Sequence, residues 1–239
     1  MSLQSLLNTG RLWRGANQRT DGQHTLSSGI QALDQLLLGG WPKAQVSELL
    51  YSGQGIGELR LLLPSLAALS QQSHTAWINP PFVPYPPALQ DAGLALKHQL
   101  VVSPADHKQA LWATEQTLKS GSCMAVIAWL EQQQEVASRD IRRLQLAAEQ
   151  GQSQLWLMRP EQVAQQSSPS ACRLVLTAIS SHSIHVHCLK RRGSWAPPPI
   201  SISLPDVSRS EQAHWFRATE QQCSGQLIQG PWQQRQSAH

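Results

Sequence analysis

Short apolar runs alternate with longer helical stretches from Val46 onward, and this alternation constrains the fold more than any other property of the chain. Residues 46–50, 74–78, 99–102, 124–130 and 154–158 read as strands. The run from Met124 to Leu130 is apolar throughout, as expected for a strand buried on both faces. Residues 59–69, 88–92, 104–120 and 139–150 read as helices between them, with Gly121 stopping the third. In 139–150, Ile141, Leu144 and Ala148 form an inner stripe while Arg139, Arg142 and Arg143 point elsewhere. Such regular alternation predicts an α/β fold with a mainly parallel sheet flanked by helices on both faces. After Pro160 the pattern changes: 173–177, 183–190 and 200–204 read as extended without long helices between them, predicting an antiparallel extension near the C-terminus. Prolines at 80, 81, 84, 86 and 87 exclude regular structure from that stretch.

The chain organises into a polar leader over 1–25, an α/β domain over 26–205 and a Gln-rich tail over 206–239 with one short helix near 211–221. The leader carries Arg11-Leu12-Trp13-Arg14-Gly15, and Trp13 reads as an anchor on the domain's own surface or as a docking residue. A net charge of +4 permits contact with DNA or acidic proteins without demanding it. The 4 cysteines form no C-x-x-C pair and read as reduced thiols, not as a disulfide framework. No signal-peptide pattern opens the chain and no apolar run approaches a membrane span, so a cytoplasmic protein without membrane contact is expected.

The loop Ser52-Gly53-Gln54-Gly55-Ile56-Gly57-Glu58-Leu59 stands where a phosphate-binding loop belongs, after a strand and before a helix. Gly57 fills the last glycine position. Ser52 stands at the first glycine, Glu58 at the lysine and Leu59 at the magnesium hydroxyl. A carboxylate where a lysine should meet phosphate reverses a contact of roughly 4 kcal/mol. Glu58 reads better as a cap in the first turn of its helix, with Gly53, Gly55 and Gly57 keeping the turn tight. Weak nucleotide binding through the backbone N–H groups of 55–57 stays open.

The stretches Leu26-Ser27-Ser28-Gly29, Leu33-Asp34 and Gly39-Gly40-Trp41-Pro42 resemble the entry segment of RecA-type recombinases. The Trp13 knot, Gly55 to Pro64, Pro80-Pro81-Phe82-Val83-Pro84-Tyr85, Leu111 to Gln116, Arg142 to Glu149 and Leu189-Lys190-Arg191-Arg192-Gly193 look like the ImuA family. The resemblance runs over about 11–204. The cell-division inhibitor SulA belongs to the same wider group and shares the part from the Leu-rich helix to the Arg159-Pro160 strand end. This resemblance implies a RecA-like, P-loop-NTPase-type core. It also implies a non-catalytic adaptor in SOS-induced translesion synthesis, assembling with an ImuB-like Y-family polymerase relative and an error-prone polymerase, with RecA and DNA as further candidate partners. The alternative it implies is a SulA-like inhibitor that binds FtsZ and stops division. By the same resemblance the magnesium carboxylate's place falls on Trp129 and the water-activating glutamate's on Pro81, so no catalytic residue, cofactor or hydrolysis is expected.

Three further sets of residues are candidates for contact. Arg139, Arg142 and Arg143 on one helix and Lys190-Arg191-Arg192 at a strand end suit DNA phosphate or an acidic partner, or else form a solvated face. Phe82 and Tyr85 in the Pro-rich stretch suit a partner-facing platform or a lid. Trp215, Phe216 and Trp232 suit a docking segment or a loose tail. The stretch 182–188 is rich in His and Cys, but alternation puts His185 and His187 on one face and Ile184, Val186 and Cys188 on the other. A half-buried strand explains that better than a metal site.

Overall fold

The computed structural model describes residues 25–204, apart from 54, 131–135 and 194. The chain divides into two compact units, 1–208 and 209–239, and the second lies wholly outside the described residues. So do Trp13 in the leader and Trp215, Phe216 and Trp232 in the tail.

An 8-stranded sheet organises the fold. Its strands, taken from a first pair β1 (Thr25–Leu26) and β2 (Trp41–Pro42) that forms a separate ladder, are β3 (Val46–Tyr51), β4 (His74–Ile78), β5 (Gln99–Val102), β6 (Cys123–Trp129), β7 (Gln154–Pro160), β8 (Cys172–Ser180), β9 (Ser183–Lys190) and β10 (Ile200–Ser203). Their spatial order is β10-β9-β8-β3-β7-β6-β4-β5. Pairing is parallel from β8 through β3, β7, β6 and β4 to β5, and antiparallel at β8–β9 and β9–β10. The antiparallel extension is therefore smaller than expected, because β8 joins the parallel set through its register with β3.

Helices α1 (Gln31–Leu36), α2 (Leu63–Ser70), α3 (Pro86–Asp91), α4 (His107–Ser120) and α5 (Ser138–Gly151) connect these strands. Strand side chains alternate between two buried clusters, as period two requires. Leu49, Trp77, Ile127 and Trp156 pack with Leu33 of α1 and Leu66 of α2. Val46, Ala76, Val126 and Leu157 pack with Leu118 of α4 and Ile141 and Leu144 of α5. The exposed histidines and buried Ile184, Val186 and Cys188 of β9 show the half-buried alternation the sequence implies.

Prolines move several element boundaries. The helix expected over 59–69 splits into a 3-10 turn, Leu59–Leu61, and α2, which starts at Leu63 with Pro64 in its first turn. Pro64 has no N–H to donate and its ring crowds the carbonyl four residues back, so a helix from Leu59 cannot run through it. Pro86 and Pro87 open α3 instead of excluding it, since the first helical turn leaves its N–H groups unpaired anyway. Pro104 does not start α4. Asp106 does, accepting a hydrogen bond from Gln109 N at 2.8 Å. Among the described residues no helix is long and apolar enough to cross a membrane.

Candidate functional site

Parallel strands end on one edge of the sheet, and ligands of open α/β sheets bind beyond their carboxyl ends. A cavity of about 850 Å³ lies there, past β3, β4, β6 and β7, and its walls include Tyr51, Glu58, Trp77, Phe82, Trp129 and Met158. Register aligns this wall: Met158 of β7 pairs with Leu49 of β3 on one side and Trp129 of β6 on the other.

Hydrogen bonds lock the aromatic part of the wall. Trp77 and Trp129 stack with ring centroids 6.3 Å apart and planes 14° from parallel. Trp77 Nε1 donates to Gln99 Oε1 at 2.9 Å, and Trp129 Nε1 donates to the Tyr51 hydroxyl at 3.2 Å. Burial pushes the Tyr51 phenol up to about 12, the Trp129 bond opposes that rise, and the negative charge of Glu58 adds to it. Tyr51 is therefore neutral at physiological pH.

The Pro-rich loop borders the mouth from a fixed base. Asn79 adopts φ 54°, a left-handed conformation that Asn tolerates better than most residues. Its N–H donates to Val102 O at 2.8 Å and its Nδ2 to Trp129 O at 2.9 Å, tying the end of β4 to both neighbouring strands. Beyond it Phe82 is 70% exposed, Val83 80% and Tyr85 68%. Three large apolar side chains held out by a stiff backbone make a surface suited to contact.

The Gly-rich loop is built for packing. Gly57 has φ 95°, and a Cβ there would lie 2.4 Å from Leu204 Cδ1. Gly57 thus lets the loop approach the segment after β10, Arg60 Nη2 reinforces that contact by donating to Leu204 O at 3.4 Å, and Arg60 Nη1 donates to Ser181 O in the turn between β8 and β9 at 2.5 Å. Gly53 and Gly55 also take positive φ, in open space. Only a 3-10 turn follows Ser52 to Leu59, so the aligned dipoles of a long helix do not face the loop.

Glu58 is not the cap that its position suggests. It takes helical angles itself (φ −54°, ψ −42°) and makes no side-chain cap bond, because a cap needs extended backbone to fold its carboxylate back. It is 8% exposed, and its Oε2 has no hydrogen-bond partner among the described residues.

Glu48, in the middle of β3, passed in the sequence as part of an apolar run. It is fully buried. Arg159 Nη1 meets its Oε2 at 2.6 Å, Arg173 Nε lies 3.4 Å from its Oε1, and the Ser168 and Ser170 hydroxyls donate to it. The signal was a carboxylate inside a doubly buried strand, which must find cations elsewhere in the chain. The aromatic wall had a comparable signal: Tyr51 and Trp129 end β3 and β6, the strands on either side of β7, and Trp77 sits one residue from the end of β4.

The basic residues are placed on separate elements. Arg143 on α5 binds Glu115 of α4 at 2.5 Å and Asp140 at 3.5 Å, Arg139 lies 4.0 Å from Asp140, and Arg142 is exposed. Lys190 Nζ donates to Ser168 O at 2.9 Å, Arg191 donates to the carbonyls of Leu36 and Trp195, and Arg192 is exposed. Arg143, Lys190 and Arg191 therefore stitch the protein's own elements together. Among the described residues no group of His, Cys, Asp and Glu could hold a metal ion.

Comparison with known proteins matches residues 44–155 to the model of the family described as cell division inhibitor SulA. The cell division inhibitor SulA of Photorhabdus laumondii is 29% identical over 153 residues, covering 59% of this chain and 84% of that protein. The SulA of Cronobacter sakazakii is 34% identical over 119 residues, covering 49% of this chain and 70% of that protein. A crystal structure of SulA from Pseudomonas aeruginosa is 30% identical, covers 48% of this chain and 97% of that one, and has a TM-score of 0.41. These findings overturn the ImuA-type translesion adaptor as the main reading, together with its ImuB-like partner, and favour the division-inhibitor alternative. A P-loop-type core is not shown by these relatives, and of the loop's glycines Gly57 serves packing against Leu204.

Proposed function

Because the chain belongs to the SulA family, we propose that it inhibits cell division by binding FtsZ, and that it acts by occupancy without catalysing a reaction. The observation that carries this reading is the family match over residues 44–155, which takes in every parallel strand from β3 to the start of β7 together with the Pro-rich loop and the cavity wall from Tyr51 to Trp129. The exposed Phe82, Val83 and Tyr85 supply a contact surface of the kind such binding needs, with aromatic anchors on a backbone whose ordering cost is already met.

Expression of the protein in dividing cells without DNA damage tests the reading. Filamentation, together with loss of purified FtsZ polymer from the pellet in a GTP-dependent sedimentation assay, is the expected result. Normal division at a verified soluble level, with FtsZ polymer unchanged, would reject it.

A further inference from the structure

The 8-stranded sheet ends differently at its two edges. At one edge β10 exposes Ser201 and Ser203, and its end is closed where Gly57 packs on Leu204 and Arg60 Nη2 donates to Leu204 O at 3.4 Å. At the other edge β5 pairs only with β4. There Leu100 is 42% and Val101 43% exposed, whereas sheet edges are ordinarily blunted by charge, proline or a covering segment.

Backbone geometry sets what the β5 edge offers. Val102 O accepts from Asn79 N at 2.8 Å, so Val102 turns its peptide groups toward β4. Residues of a parallel strand alternate in this respect, so Val101 turns its N–H and C=O outward. Both faces of the strand carry apolar side chains. Leu100 and Val102 register with Ala76 and Ile78 of one buried cluster, and Val101 registers with Trp77 of the other. None of the residues from Gln99 to Val102 is charged. Lys97 and His98 precede the strand, and His98 is held by its own chain, its Nδ1 bonded to Ser70 O at 2.6 Å.

An outward N–H and C=O flanked by exposed apolar side chains suits pairing with another strand. A strand of a different protein would have to match this short, uncharged, apolar pattern, and a second copy matches it by identity. A two-fold axis perpendicular to the sheet lays β5 antiparallel against β5 of that copy. With the axis at Val101, this residue exchanges both of its outward hydrogen bonds with its own counterpart. Leu100 of each copy then stands opposite Val102 of the other, giving apolar pairs on both faces with no like charges opposed. We propose that the chain forms a homodimer through antiparallel pairing of β5, which joins two sheets into one continuous sheet. The proposal does not rest on the division-inhibitor reading.

The test is sedimentation equilibrium of the full chain from about 1 to about 200 µM, since a ladder this short predicts a dissociation constant on the order of 10 µM. The expected mass rises with concentration from 26.4 kDa toward twice that value. Val101→Pro deletes the outward N–H and leaves the bonds to β4 in place, and Val101→Lys sets two like charges face to face. Each should weaken the dimer about tenfold or more, while cooperative urea unfolding shows that the fold survives. Cross-linking reports the edge independently of those two variants. In a Cys223→Ser background, Val101→Cys should be captured as a dimer by a short bis-maleimide, and Ser201→Cys on the β10 edge should not. A wild type that stays monomeric throughout, a dimer unchanged in both Val101 variants, or capture through Ser201→Cys in place of Val101→Cys overturns the proposal.

Discussion

Two buried carboxylates, ten residues apart in sequence, meet opposite fates in this protein. Glu48, inside β3, is enclosed by Arg159, Arg173, Ser168 and Ser170 and has its bonding completed by the fold. Glu58, beyond the loop that follows β3, is nearly as buried, yet one of its oxygens is sealed in without a hydrogen-bond partner among the described residues. A satisfied buried charge belongs to the architecture. An unsatisfied one costs the fold the desolvation of that oxygen. Burial alone would rank the two residues together, and only their partners separate them.

The sharpest way to break the comparison is at Glu48. Glu48→Ala leaves two guanidinium groups buried without their counter-charge and is expected to lower stability by ~3–5 kcal/mol in urea unfolding. The double variant Glu48→Leu with Arg159→Met should lose less than Glu48→Ala alone, because it removes charge from both sides. A single-variant loss under ~1 kcal/mol would mean that the network is not what holds β3 to β7 and β8.

A carboxylate between these extremes is Glu115 of α4, bound by Lys119 at 2.7 Å and by Arg143 of α5. The Lys119 hydrogen bond, with help from Arg143, holds the Glu115 carboxyl below its ordinary value of 4.5. Its contribution is therefore complete above that value and is lost as pH falls through the lowered one. Glu115→Gln should cost ~1 kcal/mol near neutrality, since both cations are substantially exposed and screened. The gap between wild type and variant should close in acid unfolding series. A gap that widens below pH 4.5 has the wrong sign and would refute the assignment.

At Glu58 the direction should reverse. Glu58→Leu removes an unpartnered polar group and is expected to stabilise by ~0.5–1 kcal/mol in urea unfolding. A loss of stability comparable to that of Glu48→Ala would show that Glu58 has a structural partner after all and would dissolve the contrast.

The smallest effect concerns the buried thiols. Desolvation raises Cys172 well above its ordinary range, pushes Cys188 up to about 11 and raises Cys123. In a Cys223→Ser background, labelling by a thiolate-specific reagent at neutral pH should be slow in native protein and fast in urea. Rapid native labelling would place these cysteines outside the core.

Much of the fold was legible along the chain, and the reasons are local. The β4, β5, β6 and β7 strands could be read from apolar runs, and α5 from Ile141, Leu144 and Ala148 facing one way, because these patterns follow from backbone period alone. Boundaries failed near prolines: Pro64 and Pro86 each open a helix away from its expected start, and Asp106, not Pro104, caps α4. The site was less legible. Phe82 and Tyr85 read as a partner-facing platform or a lid, and the structure exposes both side chains without choosing between those roles. Glu58 read as a defect in a phosphate loop and as a cap, and it makes no side-chain cap bond.

By itself, then, the sequence determined an α/β chain with a largely parallel sheet, a glycine loop unable to hold phosphate through a lysine, and a proline-stiffened loop carrying Phe82 and Tyr85. Only the tertiary structure decided that Arg159 and Arg173, more than a hundred residues away, would complete Glu48 while one oxygen of Glu58 stays without a partner among the described residues. The physical reason is that secondary structure is set by neighbours within a few residues. Whether a buried charge is satisfied depends on which distant side chains the packed sheet brings within about 3 Å of it.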